Sequence, residues 1–173
     1  NQELLSLIAS ARNVVIFSDE PIPSLPYNTC IIDLAPAYRT AMETLLNAGR
    51  RKLIYLGRPE HGIARLCLEL FREYGLAADE AMWETVSYPG KPMFANYYDA
   101  LHDRLAAGQI PDAIFTLSDI TAAQACSCLR DHDIAVPGTT AVIGCGNEPL
   151  SGFCQPPLAT IERNYFDAAQ YIH

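Results

Sequence analysis

Polar and aromatic residues collect at, or just beyond, the carboxyl ends of predicted strands: Asp19, His61, Arg65, Tyr88, Ser118, Asp119 and Asn147. In parallel α/β units that edge is where ligands bind. Arg58, His61 and Arg65 share one loop and helix start, a donor set that suits an anionic ligand. Nothing near them reads as catalytic. The chain has no G-x-S-x-G elbow, no H-E-x-x-H pair and no Walker loop. Gly144-Cys145-Gly146-Asn147 lacks the third glycine of a dinucleotide loop, and Pro149 follows it. Gly57 to Gly62 has a P-loop's spacing between glycines but no Lys-Ser/Thr after it. The expected chemistry is binding, with no catalytic residue, cofactor or metal. Each position also has a plain structural role open to it. Asp19 and Asp119 can cap turns or helices, Arg65 can be a solvated helix residue, Tyr88 core, and His61 surface.

The elements that must hold these residues centre on 113–147. Ala113 to Leu117 is an apolar run that reads as a buried parallel strand. Ser118 or Asp119 can cap the helix that follows. That helix places Ala122, Ala125, Cys126 and Leu129 on one apolar face. Asp131-His132-Asp133 breaks the pattern, Pro137-Gly138 marks a turn, and Thr140 to Ile143 is a second buried strand. The crossover should be right-handed.

The rest of the chain alternates in the same way. Leu4, Leu5, Leu7 and Ile8 make the face of an opening helix, and Val14 to Phe17 is a strand ending at Asp19. A proline-rich loop leads to a strand at Thr29 to Ile32. The next helix carries Pro36 in its first turn, buries Tyr38, Met42 and Leu45, and stops at Gly49. Lys52 to Leu56 is a strand. A helix ending at Gly75 follows, with Ala64, Leu68 and Phe71 in one stripe and Cys67 and Tyr74 beside it. Met82 to Tyr88 is a strand, and Phe94 to Ala107 a helix facing inward with Tyr97/Tyr98, Leu101 and Leu105. Leu158 to Ile161 is a last short strand, and Asn164 can cap a final helix. Strands alternating with helices give an α/β fold with a parallel sheet.

Bulk properties narrow the function. The chain has 173 residues and a net charge of −8, and its longest basic run is Arg50-Arg51-Lys52. Such a surface repels phosphate backbones, so this chain alone should not bind DNA. No apolar run approaches a membrane span and no signal-peptide pattern opens the chain. It starts at Asn1, and its methionines are Met42, Met82 and Met93, so it reads as cut from a longer protein. Six cysteines with no C-x-x-C pair read as reduced and buried, which favours the cytoplasm.

Four spaced motifs carry a resemblance: AIFTLSDITA, DIAVP, AVIGCGN and PPLATI, in that order. They resemble the effector-binding core of the lactose/galactose repressor family of bacterial transcription factors. The resemblance covers essentially the whole chain. It implies a periplasmic-binding-protein-like (type I) fold of two parallel-sheet lobes, with residues 33–160 a complete C-terminal lobe. Residues 1–32 and 161–173 would be part of the N-terminal lobe, and the DNA-reading helix-turn-helix module would be absent from this fragment.

The resemblance also implies roles. The matching positions line the family's cleft, where an acid at Asp19 and an arginine at Arg65 bind sugar hydroxyls and an aromatic at Tyr88 packs on the ring. The Ser118-Asp119 pair adds polar contacts. Two departures stand out: Gly146 replaces the family's strand-end acid, and Ser118 its usual asparagine. Similarity of CGNEPLSGFCQPPLA to the fructose-type catabolite repressor branch points toward phosphorylated sugars. The expected protein senses a sugar or phosphosugar and controls operator binding by lobe movement. It should bind operator DNA through the missing N-terminal domain and act as a homodimer with its cores side by side, with no membrane contact. Two other readings stay open: a periplasmic sugar-binding protein of a transporter, and an enzyme on a nucleotide-binding fold.

Overall fold

The computed structural model describes residues 15–18, 28–78, 81–84 and 95–170. Asp19, Tyr88 and the expected opening helix through Leu4 and Ile8 lie outside the described residues. In chain order the elements are β1 (Val15–Ser18), β2 (Asn28–Ile31), α1 (Ala35–Asn47), β3 (Leu53–Gly57), α2 (Gly62–Glu73), β4 (Met82–Glu84), α3 (Ala95–Ala106), β5 (Ala113–Thr116), α4 (Asp119–Asp131), β6 (Ala141–Cys145), α5 (Pro149–Phe153), β7 (Ala159–Ile161) and α6 (Tyr165–Gln170). They divide between two compact units, Asn1–Leu34 with Asn164–His173, and Ala35–Arg163.

In the first unit β1 and β2 pair in parallel, with Phe17 opposite Cys30. The Ile32 amide extends the ladder by donating to the Ser18 carbonyl at 3.0 Å. The Phe17 and Tyr165 rings meet edge to face at 6.2 Å. Asn164, expected as a helix cap, donates its side-chain amide to Asp167 at 2.8 Å.

The second unit holds a five-stranded sheet in the order β4-β3-β5-β6-β7, with every pair parallel. Every residue of Leu53–Gly57, Ala113–Thr116 and Ala141–Cys145 is buried. Continuous apolar runs of that kind belong to strands covered on both faces. Alternation sends Ile54, Leu56, Ile114 and Val142 to a core shared with Leu101, Leu105, Ala125 and Leu129 of α3 and α4. On the opposite face Phe115 packs against Tyr38 at 5.9 Å and Phe71 at 6.0 Å, from α1 and α2. The path leaves β3 in one direction for β4 and returns in the other to β5. A constant crossover hand therefore puts α2 and α3 on opposite faces.

Backbone closure at the helix ends follows one scheme. Gly49, with φ of 83°, ends α1 so that the Arg50 amide reaches the Leu45 carbonyl at 3.0 Å. The end of α4 has the same bonds around Asp133, at φ 56°, with Ile134 donating to Leu129 at 2.9 Å. The amino edge of the sheet is laced by side chains. Arg50 donates to the carbonyls of Pro137 (2.6 Å), Gly138 (2.9 Å), Asp112 (3.2 Å) and Thr139. The Asp112 carboxylate accepts from the amides of Arg51 at 2.7 Å and Lys52 at 2.8 Å.

Three details depart from the sequence reading. β6 runs to Cys145 instead of stopping at Ile143, because Cys145 still pairs with Ile161 of β7. On α4 the buried thiol is Cys128, while Cys126 is only half-buried. In a helix rich in small residues the apolar stripe is too weak to choose between them. α5 was not expected; Pro149 opens it, where its missing amide costs nothing.

Candidate functional site

The strand order places a topological switch between β3 and β5, whose connections leave in opposite directions. Ligands bind outside the carboxyl ends of strands at such a point. Here two sets of residues follow the two strands.

The first set follows β3. Gly57 closes the strand because a side chain there would strike the Tyr55 ring, 2.6 Å from an added Cβ. Arg58 pairs loosely with Glu60 at 3.8 Å. His61 sits at the N-cap of α2 with extended backbone, and its imidazole makes no capping bond. Arg65, one turn into the helix, is exposed and donates to the Glu60 carbonyl at 2.9 Å. That bond holds the guanidinium back over the loop. Tyr97 on α3 feels the same charges: burial pushes its phenol up, with Arg58 opposing and Glu60 adding.

The second set joins the ends of β5, β6 and β7. Ser118 is the N-cap of α4, its hydroxyl accepting from the Thr121 amide at 3.3 Å. Asp119 is wholly buried. One carboxylate oxygen accepts the Thr160 hydroxyl at 2.5 Å and the other the Glu148 amide at 2.6 Å. Thr160 in turn accepts from the Asn147 amide at 3.1 Å. Gly146 and Asn147 take positive φ, 125° and 51°, which folds the strand end back over this carboxylate. Gly144 makes the room, since a Cβ there would lie 2.2 Å from the nearer Asp119 oxygen.

The structure thus joins Asp119 and Asn147 in one network through Thr160, leaves Ser118 beside it as the cap of α4 and Gly146 at its turn, and places His61 and Arg65 together on the neighbouring strand end. Both Asp119 carboxylate oxygens are turned inward on donors, so this side chain shapes the Gly146-Asn147 loop. Gly146 carries no side chain, and Asn147 is exposed at the rim. Arg163 and Thr160 were not singled out in the sequence. Arg163, two residues past β7, donates to Cys145 Sγ at 3.3 Å and the Leu117 carbonyl at 3.4 Å. A basic residue just beyond a strand end was the available signal for it.

The pattern of the periplasmic binding protein-like domain matches residues 42–172. The chain belongs to that family. Among curated proteins it is similar to the HTH-type transcriptional regulator GalS of Salmonella typhimurium, 29% identical over 145 residues, covering 81% of this chain and 42% of the relative. The HTH-type transcriptional repressor CytR of Escherichia coli (strain K12) is 27% identical over 167 residues, covering 92% of this chain and 48% of the repressor. The chain therefore spans under half the length of these relatives. These are transcriptional regulators, as the motif resemblance led us to expect.

Solved structures agree on the fold. A LacI-family protein from Sanguibacter keddieii aligns with a TM-score of 0.77 at 27% identity, covering 94% of this chain and 61% of its own. A LacI family transcriptional regulator from Lactobacillus casei, solved with bound sucrose, aligns with a TM-score of 0.72 at 25% identity, covering 91% and 59%. Among the described residues no helix is long and apolar enough to cross a membrane.

Proposed function

We propose that this chain is the effector-sensing part of a DNA-binding transcriptional regulator, with a sugar or sugar phosphate as its ligand. The observation that carries the reading is the pair Arg58 and Arg65, with His61, opening on the switch point of the parallel sheet. Guanidinium groups there supply the fork geometry that holds two ligand oxygens at once. Ser118 and Asn147 add neutral donors and acceptors at the adjoining strand ends, and Asp119 and Gly146 set the loop that carries Asn147. Among the described residues Arg58, Arg65 and His61 face no carboxylate at Gly146, and that balance of charge favours an anionic ligand over a neutral hexose. The relatives named as transcriptional regulators, and the neighbour solved with sucrose, support the same class. In this reading the longer protein reads operator DNA through a helix-turn-helix module outside this chain. It works in the cytoplasm as a homodimer and catalyses no reaction.

The test is operator binding by the longer protein with neutral sugars and their phosphates, for wild type, Arg65→Ala and Arg65→Lys. Removing one partner of a buried charge pair costs about 2–5 kcal/mol. Arg65→Ala should therefore keep DNA binding but need roughly 30-fold more effector or beyond, and Arg65→Lys should recover little. An unchanged response in Arg65→Ala refutes the strand-end assignment. A wild type indifferent to the whole panel refutes the ligand class.

A further inference from the structure

His102, Cys128 and His132 stand together on the α3–α4 pair, with one ligand atom of each within 4.8 Å of the others. Cys128 and His132 lie four residues apart, so they share one face at the C-terminal end of α4. His102 comes from α3, where its ring stacks near Tyr98 with centroids 6.2 Å apart. His132 Nε2 and His102 Nδ1 face each other at 2.9 Å, while the Cys128 thiol points at the Tyr98 carbonyl at 3.6 Å. Cys128 is fully buried and His102 exposed, so the cluster spans the helix interface from inside to rim. At that distance one ring N–H donates to the lone pair of the other ring, so the two nitrogens are already held edge to edge. Nothing in effector sensing uses any of these residues. His132 lies at the far end of α4 from Ser118, about 20 Å along the helix.

We infer that His102 Nδ1, His132 Nε2 and Cys128 Sγ form a zinc site that pins α3 to α4. Two imidazole nitrogens and one thiolate are the donor types zinc prefers. Tetrahedral bond lengths put such nitrogens about 3.3 Å apart and nitrogen from sulfur about 3.6 Å. The two nitrogens at 2.9 Å, and all three donor atoms within 4.8 Å, lie close to those spacings. On binding, Cys128 releases its thiol proton to solvent, and the proton between the two rings moves through solvent to the outer nitrogen of the ring that donated it, leaving His102 protonated on Nε2 and His132 on Nδ1. Water fills the fourth position. Tyr98, whose ring stacks near His102, donates its hydroxyl to Asp131 at 2.7 Å and so ties α3 to α4 beside the cluster. Sequence spacing conceals the site, because a single C-x-x-x-H on one helix and a lone histidine on another match no zinc signature.

Zinc titration of the chelator-treated 173-residue chain tests the inference, with a competing chromophoric chelator as the readout. One zinc per chain is expected, with affinity falling roughly tenfold or more in His102→Ala and His132→Ala, at least the loss caused by removing an outer-sphere partner. His102 is exposed, so its replacement leaves folding intact, and circular dichroism verifies that. Cobalt in place of zinc should show a thiolate charge-transfer band that Cys128→Ser abolishes. Cys126→Ser, on another side of α4, should change neither measurement. Zinc binding unaltered by His102→Ala, or lost equally in Cys126→Ser, overturns the site. So does the absence of stoichiometric binding in the wild type.

Discussion

Asp119 and Thr160 meet across the end of β6, carboxylate to hydroxyl at 2.5 Å. One is the first residue of α4 and the other the middle residue of β7. Their bond fastens the strand-end loop between them, since Glu148 and Asn147 hang their amides on the same two side chains.

Breaking that bond should loosen the loop before it unfolds the unit. Thr160→Val leaves a buried carboxylate oxygen and the Asn147 amide short of a partner, a cost of about 1–3 kcal/mol. Gly144→Ala should cost a similar amount by forcing the Asp119 carboxylate aside, the usual penalty for overpacking being about 1–3 kcal/mol. Urea midpoints measured at constant slope check both. A Gly144→Ala midpoint equal to wild type contradicts the close approach.

Asp112 should impose an acid limit on stability. Burial works against its charge, but the amides of Lys52 and Arg51 outweigh it and hold the carboxyl below its ordinary value. A carboxyl depressed on folding adds stability above its unfolded pKa, and that contribution drains away as pH falls through the folded one. Asp112→Asn should thus cost about 1.5–3 kcal/mol near neutrality. The gap from wild type should close below pH 4, the ordinary aspartate range. Parallel denaturation curves from pH 7 to pH 3 measure it.

Tyr55 carries a hydroxyl with no hydrogen-bond partner among the described residues, on a fully buried ring. Burial, and then Cys67, push the phenol well above its usual range. Tyr55→Phe removes an unsatisfied polar atom and keeps the ring. Thermal unfolding should show a melting temperature equal to wild type or higher, with a gain of about 1 kcal/mol. A clear loss of stability reveals a partner for that hydroxyl.

Asp133 holds the left-handed conformation that Gly49 provides at the end of α1. A residue with a Cβ pays roughly 1–2 kcal/mol there. Asp133→Gly should recover part of that, near 1 kcal/mol by chemical denaturation, and a destabilised variant would show that the aspartate side chain serves the turn.

Much of this architecture was legible because its signals are periodic. The stripe Tyr38, Met42 and Leu45 is buried as its spacing implies, and the runs at β3 and β5 are apolar because helices cover both faces. Where side chains are small the pattern fades, and α4 buries Cys128 more deeply than Cys126, which packs half-buried against the same core. Positions were readable at the candidate site, but duties were not. Sequence puts Asp119 at a strand end without saying that Thr160 and Glu148 will engage both oxygens. That depends on a partner 41 residues away. The His102–His132 contact joins two helices in the same manner, 30 residues apart.

Arg50 laces the amino edge of the sheet, the edge opposite the 57–62 and Gly146-Asn147 loops. One guanidinium gathers four carbonyls where β5 and β6 begin, so the spacing of the central strands is set from the side opposite the variable loops. Loops carried by a rigid scaffold are free to diverge in sequence and length. The stretch from Gly57 to Gly62 can therefore change while the sheet beneath stays the same, whereas the turn at Gly146-Asn147 is tied to Asp119 and Thr160 and changes only with them.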